Sequence, residues 1–209
     1  MAITYPLALP TVTGIAQITL TARNSVAVTS SPFTFKQQIL QHQGSRWEAT
    51  ITLPPMQRAN AETWISFLIS LYGQYGTFLL GDPIGATARG SAATTPGTPL
   101  VNGASQTGNT LNIDGAPNSA TGYLKAGDYI QLGSASTAQL YKVLADANSN
   151  GSGEVSVDIW PALRSSPTDN STVIVSSAKG LFRLTTPESS FSIDTASFYG
   201  LAFAAVESL

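Results

Sequence analysis

A chain of 209 residues is long enough for one large domain or two modest ones, each with its own core. Only 11% of it is charged, against roughly a quarter in an average soluble protein, and the 10 basic and 12 acidic residues are scattered singly. That pattern gives no field to gather phosphates or anionic lipid, so sequence-specific nucleic-acid binding is not expected, and the absence of cysteine excludes disulfides, thiolate metal sites and a cysteine nucleophile.

The opening "MAITYPLALP" lacks a basic n-region and meets proline before an apolar h-region forms. No apolar run approaches the roughly 18 residues of a membrane span, so membrane insertion is not expected. The first clear strand is "RWEATITLP", in which Trp47, Ala49, Ile51 and Leu53 point one way and Glu48, Thr50 and Thr52 the other. Next, "NAETWISFLISLYGQYG" places Trp64, Leu68, Leu71, Tyr72 and Tyr75 at helical spacing. A helix near residues 60–74 is predicted, capped by Asn60 and stopped at Gly73 or Gly76. Ile65, Phe67 and Ile69 are also large, so this helix is apolar on most sides and must be covered on most sides, by its own fold or by another subunit. Trp64, Phe67 and Ile69 are therefore interface candidates.

In "GTFLLGDPIGATARG", residues 76–90, a core strand dissolves into glycine, proline and alanine, and residues 86–108 read as a linker punctuated by Pro96, Gly97, Pro99 and Gly103. Short strands follow in "NTLNID", "GDYIQL", "AQLYKVL", "EVSVDIW" and "STVIVSS", enough for a small barrel. All 8 phenylalanines lie outside residues 86–179, and the vocabulary of the first part returns in "GLFRLTT", "SFSID" and "FYGLAFAAVES". The predicted fold is mainly β with one main helix: a discontinuous, β-sandwich-like domain of residues 1–85 and 180–209, with a small oligonucleotide-binding-like barrel of residues 86–179 inserted into it.

Little of this carries chemistry. Gly81, Gly85 and Gly90 are too widely spaced for a dinucleotide fingerprint, and Asp82-Pro83 reads as turn chemistry. Arg89 is either an interface arginine or a solvated linker charge. The single histidine, His42, has no carboxylate nearby until Glu48, and neither a Gly-x-Ser-x-Gly elbow nor a His-Glu-x-x-His motif is present. No catalytic residue, cofactor or resident metal is assigned. In "DANSNGSGE", Asp146, Asn148 and Asn150 match the first half of a calcium loop, but Val157 stands where the bidentate glutamate belongs, so an Asn-Gly hairpin turn is the favoured reading. Tyr123, Tyr129, Tyr141 and Trp160 either fill the barrel or stack on sugar; Tyr129 and Trp160 are the candidates for stacking.

The order of parts resembles the distal tail proteins of long-tailed phages. The runs "ETWISFLISLYGQYGTFLLGDPIGATARG", "AGDYIQL", "YKVL", "IWPALR" and "KGLFRLTTPE" are similar to phage tail-tip proteins of about this length. The resemblance implies a non-enzymatic virion protein at the distal end of the tail. It would form a homo-oligomeric ring, commonly a hexamer, between the tail-tube protein and the hub and fibre proteins, and continue the DNA channel, with the barrel projecting outward. Glu48, Glu62, Asp82 and Glu207 are the channel-lining candidates. The alternatives are a carbohydrate-binding module of a receptor-recognition protein and a glycan hydrolase using dispersed carboxylates.

Overall fold

The computed structural model describes residues 3–194 and 197–209. Strands β1 (Gln17–Ser30) and β2 (Gln37–Thr52) form a long antiparallel hairpin, and helix α1 (Arg58–Ser70) follows. The later strands are β3 (Phe78–Leu80), β4 (Leu100–Val101), β5 (Gly108–Asp114), β6 (Tyr129–Leu132), β7 (Gln139–Val143), β8 (Val155–Leu163), β9 (Val173–Ile174), β10 (Gly180–Leu184), β11 (Phe191–Ile193) and β12 (Tyr199–Glu207). The described residues are mainly β with one α-helix, built on two six-stranded sheets.

The first sheet runs β1-β2-β12-β10-β3, with β11 added on β12, so it draws on residues 17–80 and 180–207. The alternation in β2 sets its faces: Trp47, Ala49 and Ile51 are buried, as is Leu53 just beyond, while Thr50 and Thr52 are exposed. On the buried face lies α1, joined by an aromatic run in which Phe67 meets Phe78 at 5.6 Å and Trp64 meets Phe203 at 6.2 Å between ring centres.

The helix starts earlier than its composition suggests. Pro54 and Pro55 hold the chain extended, Gln57 is the N-cap, and its carbonyl accepts from the N–H groups of both Asn60 and Ala61, so Asn60 sits inside the first turn. At the other end Leu71 is the C-cap, and Tyr72 and Gly73 both take positive φ, turning the chain sharply out of the helix. A Cβ at Gly73 would lie 2.7 Å from the Pro187 backbone, so only glycine fits there.

The second sheet runs β4-β5-β8-β7-β6-β9 and is nearly closed: a bridge between Leu100 and Thr172 and a bond from Val173 N–H to the Pro99 carbonyl join its two ends. Leu111, Ile113, Tyr123, Ile130, Tyr141 and Val157 fill it. The stretch 86–108 is not the free linker its composition suggests. Ala88, Ala92 and Val101 are buried in the barrel core, and a Cβ on Gly90 would meet the Tyr123 carbonyl at 2.3 Å. Small residues are the means of this close packing, which is why a count of large apolar side chains missed it.

Burial has a measurable consequence in the barrel. It pushes the Tyr123 hydroxyl up to about 12 and raises that of Tyr141 too. The folded chain therefore keeps phenol protons that the unfolded chain loses, and stability falls as pH climbs from about 10 towards 12. In an alkaline absorbance titration Tyr123 will ionise only with or after unfolding, and Tyr123→Phe will remove part of the alkaline loss.

Candidate functional site

The β1–β2 hairpin is far longer than the sheet it serves. Strand β12 pairs with β2 only as far as Glu48, opposite Val206, so beyond Trp47 the hairpin continues as a two-stranded ribbon. From Asn24 to the turn at Ser31–Lys36 is roughly 23 Å at about 3.3 Å per residue. All residues from 32 to 44 are exposed, as are those from 21 to 30.

Side chains from the barrel grip the root of this arm on both strands. Asn24 and Ser45 are its last regular pair before a bulge shifts the register, so that Val26 faces Gln41. The Trp160 indole N–H donates to Asn24 Oδ1 at 2.8 Å, and Arg164 Nη2 reaches the Ser45 carbonyl at 3.4 Å. Arg164 also makes a bidentate pair with Glu207 of β12, at 2.8 and 2.5 Å. Glu207 in turn accepts from the Trp47 backbone N–H at 2.9 Å. The Trp47 ring stands edge-on to Trp160, 4.6 Å between centres, and its indole N–H donates to the Leu140 carbonyl in β7. Sheet and barrel are thus packed together where the arm begins.

Beyond the root the arm presents apolar side chains to solvent. Val28 pairs with Ile39, and Val26 lies two residues away on the same face, so one side of the ribbon is an apolar stripe. At the tip Phe33 and Phe35 are 91% and 82% exposed. A two-stranded ribbon is marginal in water by itself, and uncovered phenylalanines add nothing to its stability. The arm's apolar face and tip are left uncovered by the fold.

Several residues singled out by composition are placed elsewhere. Trp64 and Phe67 are buried in the core beneath α1, because the helix turns that stripe onto the sheet; neither can serve an interface between molecules, whereas Ile69 is exposed. Arg89 is exposed and braces a turn of the barrel, 3.6 Å from the buried Asp128 carboxylate and donating to the Ala126 carbonyl. Tyr129 is buried against Trp47, with the Lys142 ammonium 4.3 Å above its ring, so it offers no open face for a sugar. Trp160 is half-buried and lines a cleft of about 770 Å³ at the root of the arm, together with Asn24, His42, Asn109 and Arg164.

The oxygens of the calcium-like run are already engaged. Asp146 pairs with Lys125 at 2.8 Å and accepts from Ala126 N–H, which holds its carboxyl below the usual range; Asn148 accepts from Gly122 N–H and Asn150 from the N–H groups of Ser152 and Glu154. Among the described residues no group of three His, Asp or Glu could hold a metal ion. The channel candidates are engaged as well: Glu48 with Arg46 and Arg23, Glu62 with Arg58, Asp82 with two turn N–H groups, and Glu207 with Arg164.

The exposed phenylalanines of the arm were not singled out from the sequence. A signal was present: residues 17–47 carry Arg23, Lys36 and Arg46 and no acidic residue, in a chain with an overall acidic balance. No match was found among protein-family profiles or among curated proteins.

Proposed function

We propose that this chain is a non-enzymatic structural subunit of a phage tail tip, forming a ring that joins the tail tube to the hub and fibres. The single observation that carries the reading is the arm, roughly 23 Å of ribbon at about 3.3 Å per residue, with an apolar face and an aromatic tip that its own fold leaves uncovered. Two features support it. A surface poor in charge can be buried against neighbours without stranding ions. The barrel is locked to the sheet at the root of the arm, so a ring built from the sheets would hold the barrels in fixed positions.

Sugar binding by the barrel is the second reading, and it rests on Trp160 in its polar cleft alone, since Tyr129 is covered.

Negative-stain electron microscopy of the purified, concentrated chain, with its light-scattering mass, tests the ring. Closed rings with an open centre are the expected result. A strict monomer, both alone and when mixed with tail-tube protein, overturns the reading.

A further inference from the structure

We propose that the arm docks on a second copy of this chain, across the surface formed by the end of α1 and the segment leading into β11; this deepens the ring reading and rests on it. The receiving surface is apolar in the same way as the arm. Ile69, Tyr72 and Tyr75 are exposed where the helix ends, and Phe191 and Ile193 are exposed in β11. The two parts are linked through Pro187, whose backbone lies against Gly73, and through the Gln74 side chain, which donates to the Thr185 carbonyl.

Charge selects this pairing over arm against arm. Between Asn24 and Ser45 the arm has no acidic residue and one cation, Lys36 at its tip, which has no carboxylate partner among the described residues; Arg23 and Arg46 at the root are both held by Glu48. Residues 184–209 carry no basic residue; with Glu207 buried in its pair with Arg164 and Glu62 paired with Arg58, the exposed Glu188 and Asp194 are the acids of this surface without an ion-pair partner among the described residues. Glu188 follows Pro187 and so stands beside the helix end. Two arms face to face would bring like charges together; an arm on this surface brings opposite ones.

Area is adequate too. With about 150–250 Å² per aromatic side chain, Phe33, Phe35 and the aliphatic stripe offer roughly 600–700 Å² of apolar surface, close to the roughly 800 Å² per partner of a standard interface. The two patches lie on different elements, so the contact can be exchanged reciprocally in a two-fold dimer or repeated head to tail; the ring reading requires the second, which produces a closed ring or an open helix.

The cysteine-free sequence makes the test clean. Thr34→Cys at the arm tip and Ser66→Cys on the exposed side of α1, one turn before Ile69, leave both apolar patches intact. Under mild oxidation, a mixture of the two single-cysteine chains will give the mixed disulfide, in excess over either self-dimer. Adding Phe33→Ser and Phe35→Ser to the Thr34→Cys chain will lower that yield by roughly tenfold or more while leaving the circular dichroism unchanged.

A dominant Thr34→Cys self-dimer means arm-to-arm pairing and overturns the proposal, as does a chain that forms no cross-link at any concentration. Rings that form without the 34–66 cross-link leave the ring reading standing and overturn this docking. A chain carrying both cysteines that yields an open ladder with no closed species supports the docking and overturns the ring. Binding of the parent arm to anionic vesicles, abolished by the two serines and without the cross-link, overturns the proposal in favour of a lipid surface.

Discussion

An Arg164→Met chain will unfold about 3–5 kcal/mol more easily than its parent, and the deficit will shrink as the pH is lowered. Glu207 has 2% of its side chain exposed and Arg164 16%, so removing the guanidinium leaves a buried carboxylate with the Trp47 N–H as its remaining donor. Burial already pushes the Glu207 carboxyl above its ordinary value, against the opposing pull of Arg164, and without Arg164 it will rise further. A carboxyl raised in the folded state adds stability below its ordinary value near 4.5, and that stability is lost as pH rises through the folded value. The gap between variant and parent will thus be widest near pH 8 and narrower near pH 5 in urea titrations. Arg164→Met with Glu207→Gln removes both charges and keeps an acceptor for Trp47 N–H, so it will recover most of the loss. An unchanged midpoint for the single variant, or a deficit that grows on acidification, would show that the pair does not brace the fold.

The legible parts of this protein are those in which one residue decides one local outcome. The alternation from Trp47 to Leu53 names the buried face of β2, and five short apolar runs separated by turn residues mark the barrel strands. What stayed hidden depends on partners distant in sequence. Whether Trp64 or Ile69 faces inward is settled by where α1 lands on the sheet, and both stand in one apolar run. Ala88 and Ala92 look like linker because alanine packs closely without a large side chain to announce it. The arm was obscured for the opposite reason. Val26, Val28 and Ile39 alternate as core strands do, and nothing local says that the sheet ends before they are reached. Arg164 and Glu207 are 43 residues apart, and pairing two of twenty-two dispersed charges is beyond any spacing rule.

Trp47 is where sheet, barrel and arm meet, and Trp47→Ala will convert one cooperative unfolding transition into two. Its side chain is 3% exposed, packed on Trp160 and Tyr129, and tied through its indole N–H to the Leu140 carbonyl at 3.0 Å. Truncation to alanine costs about 3–5 kcal/mol in a core of this kind, and here the cavity opens between two units that each keep a separate core. The loss falls on their coupling, so the barrel, with its nearly closed hydrogen-bond ladder, will outlast the sheet in denaturant. Limited proteolysis will then cut the two crossing segments, residues 81–90 and 175–179, which lie side by side through the bond from Ser177 N–H to the Ala86 carbonyl. Trp47→Phe keeps most of the packing and loses only the indole bond, so it will cost about 1 kcal/mol and preserve a single transition. A single transition in Trp47→Ala would mean that the crossing segments alone hold the units together. Two transitions would mean that the arm owes its direction to this one side chain: Asn24 is held by Trp160, and Trp160 leans on Trp47. A fall in the 34–66 cross-link with Phe33 and Phe35 untouched then follows, because an arm aimed by the barrel can meet its neighbour only while the barrel stays in place.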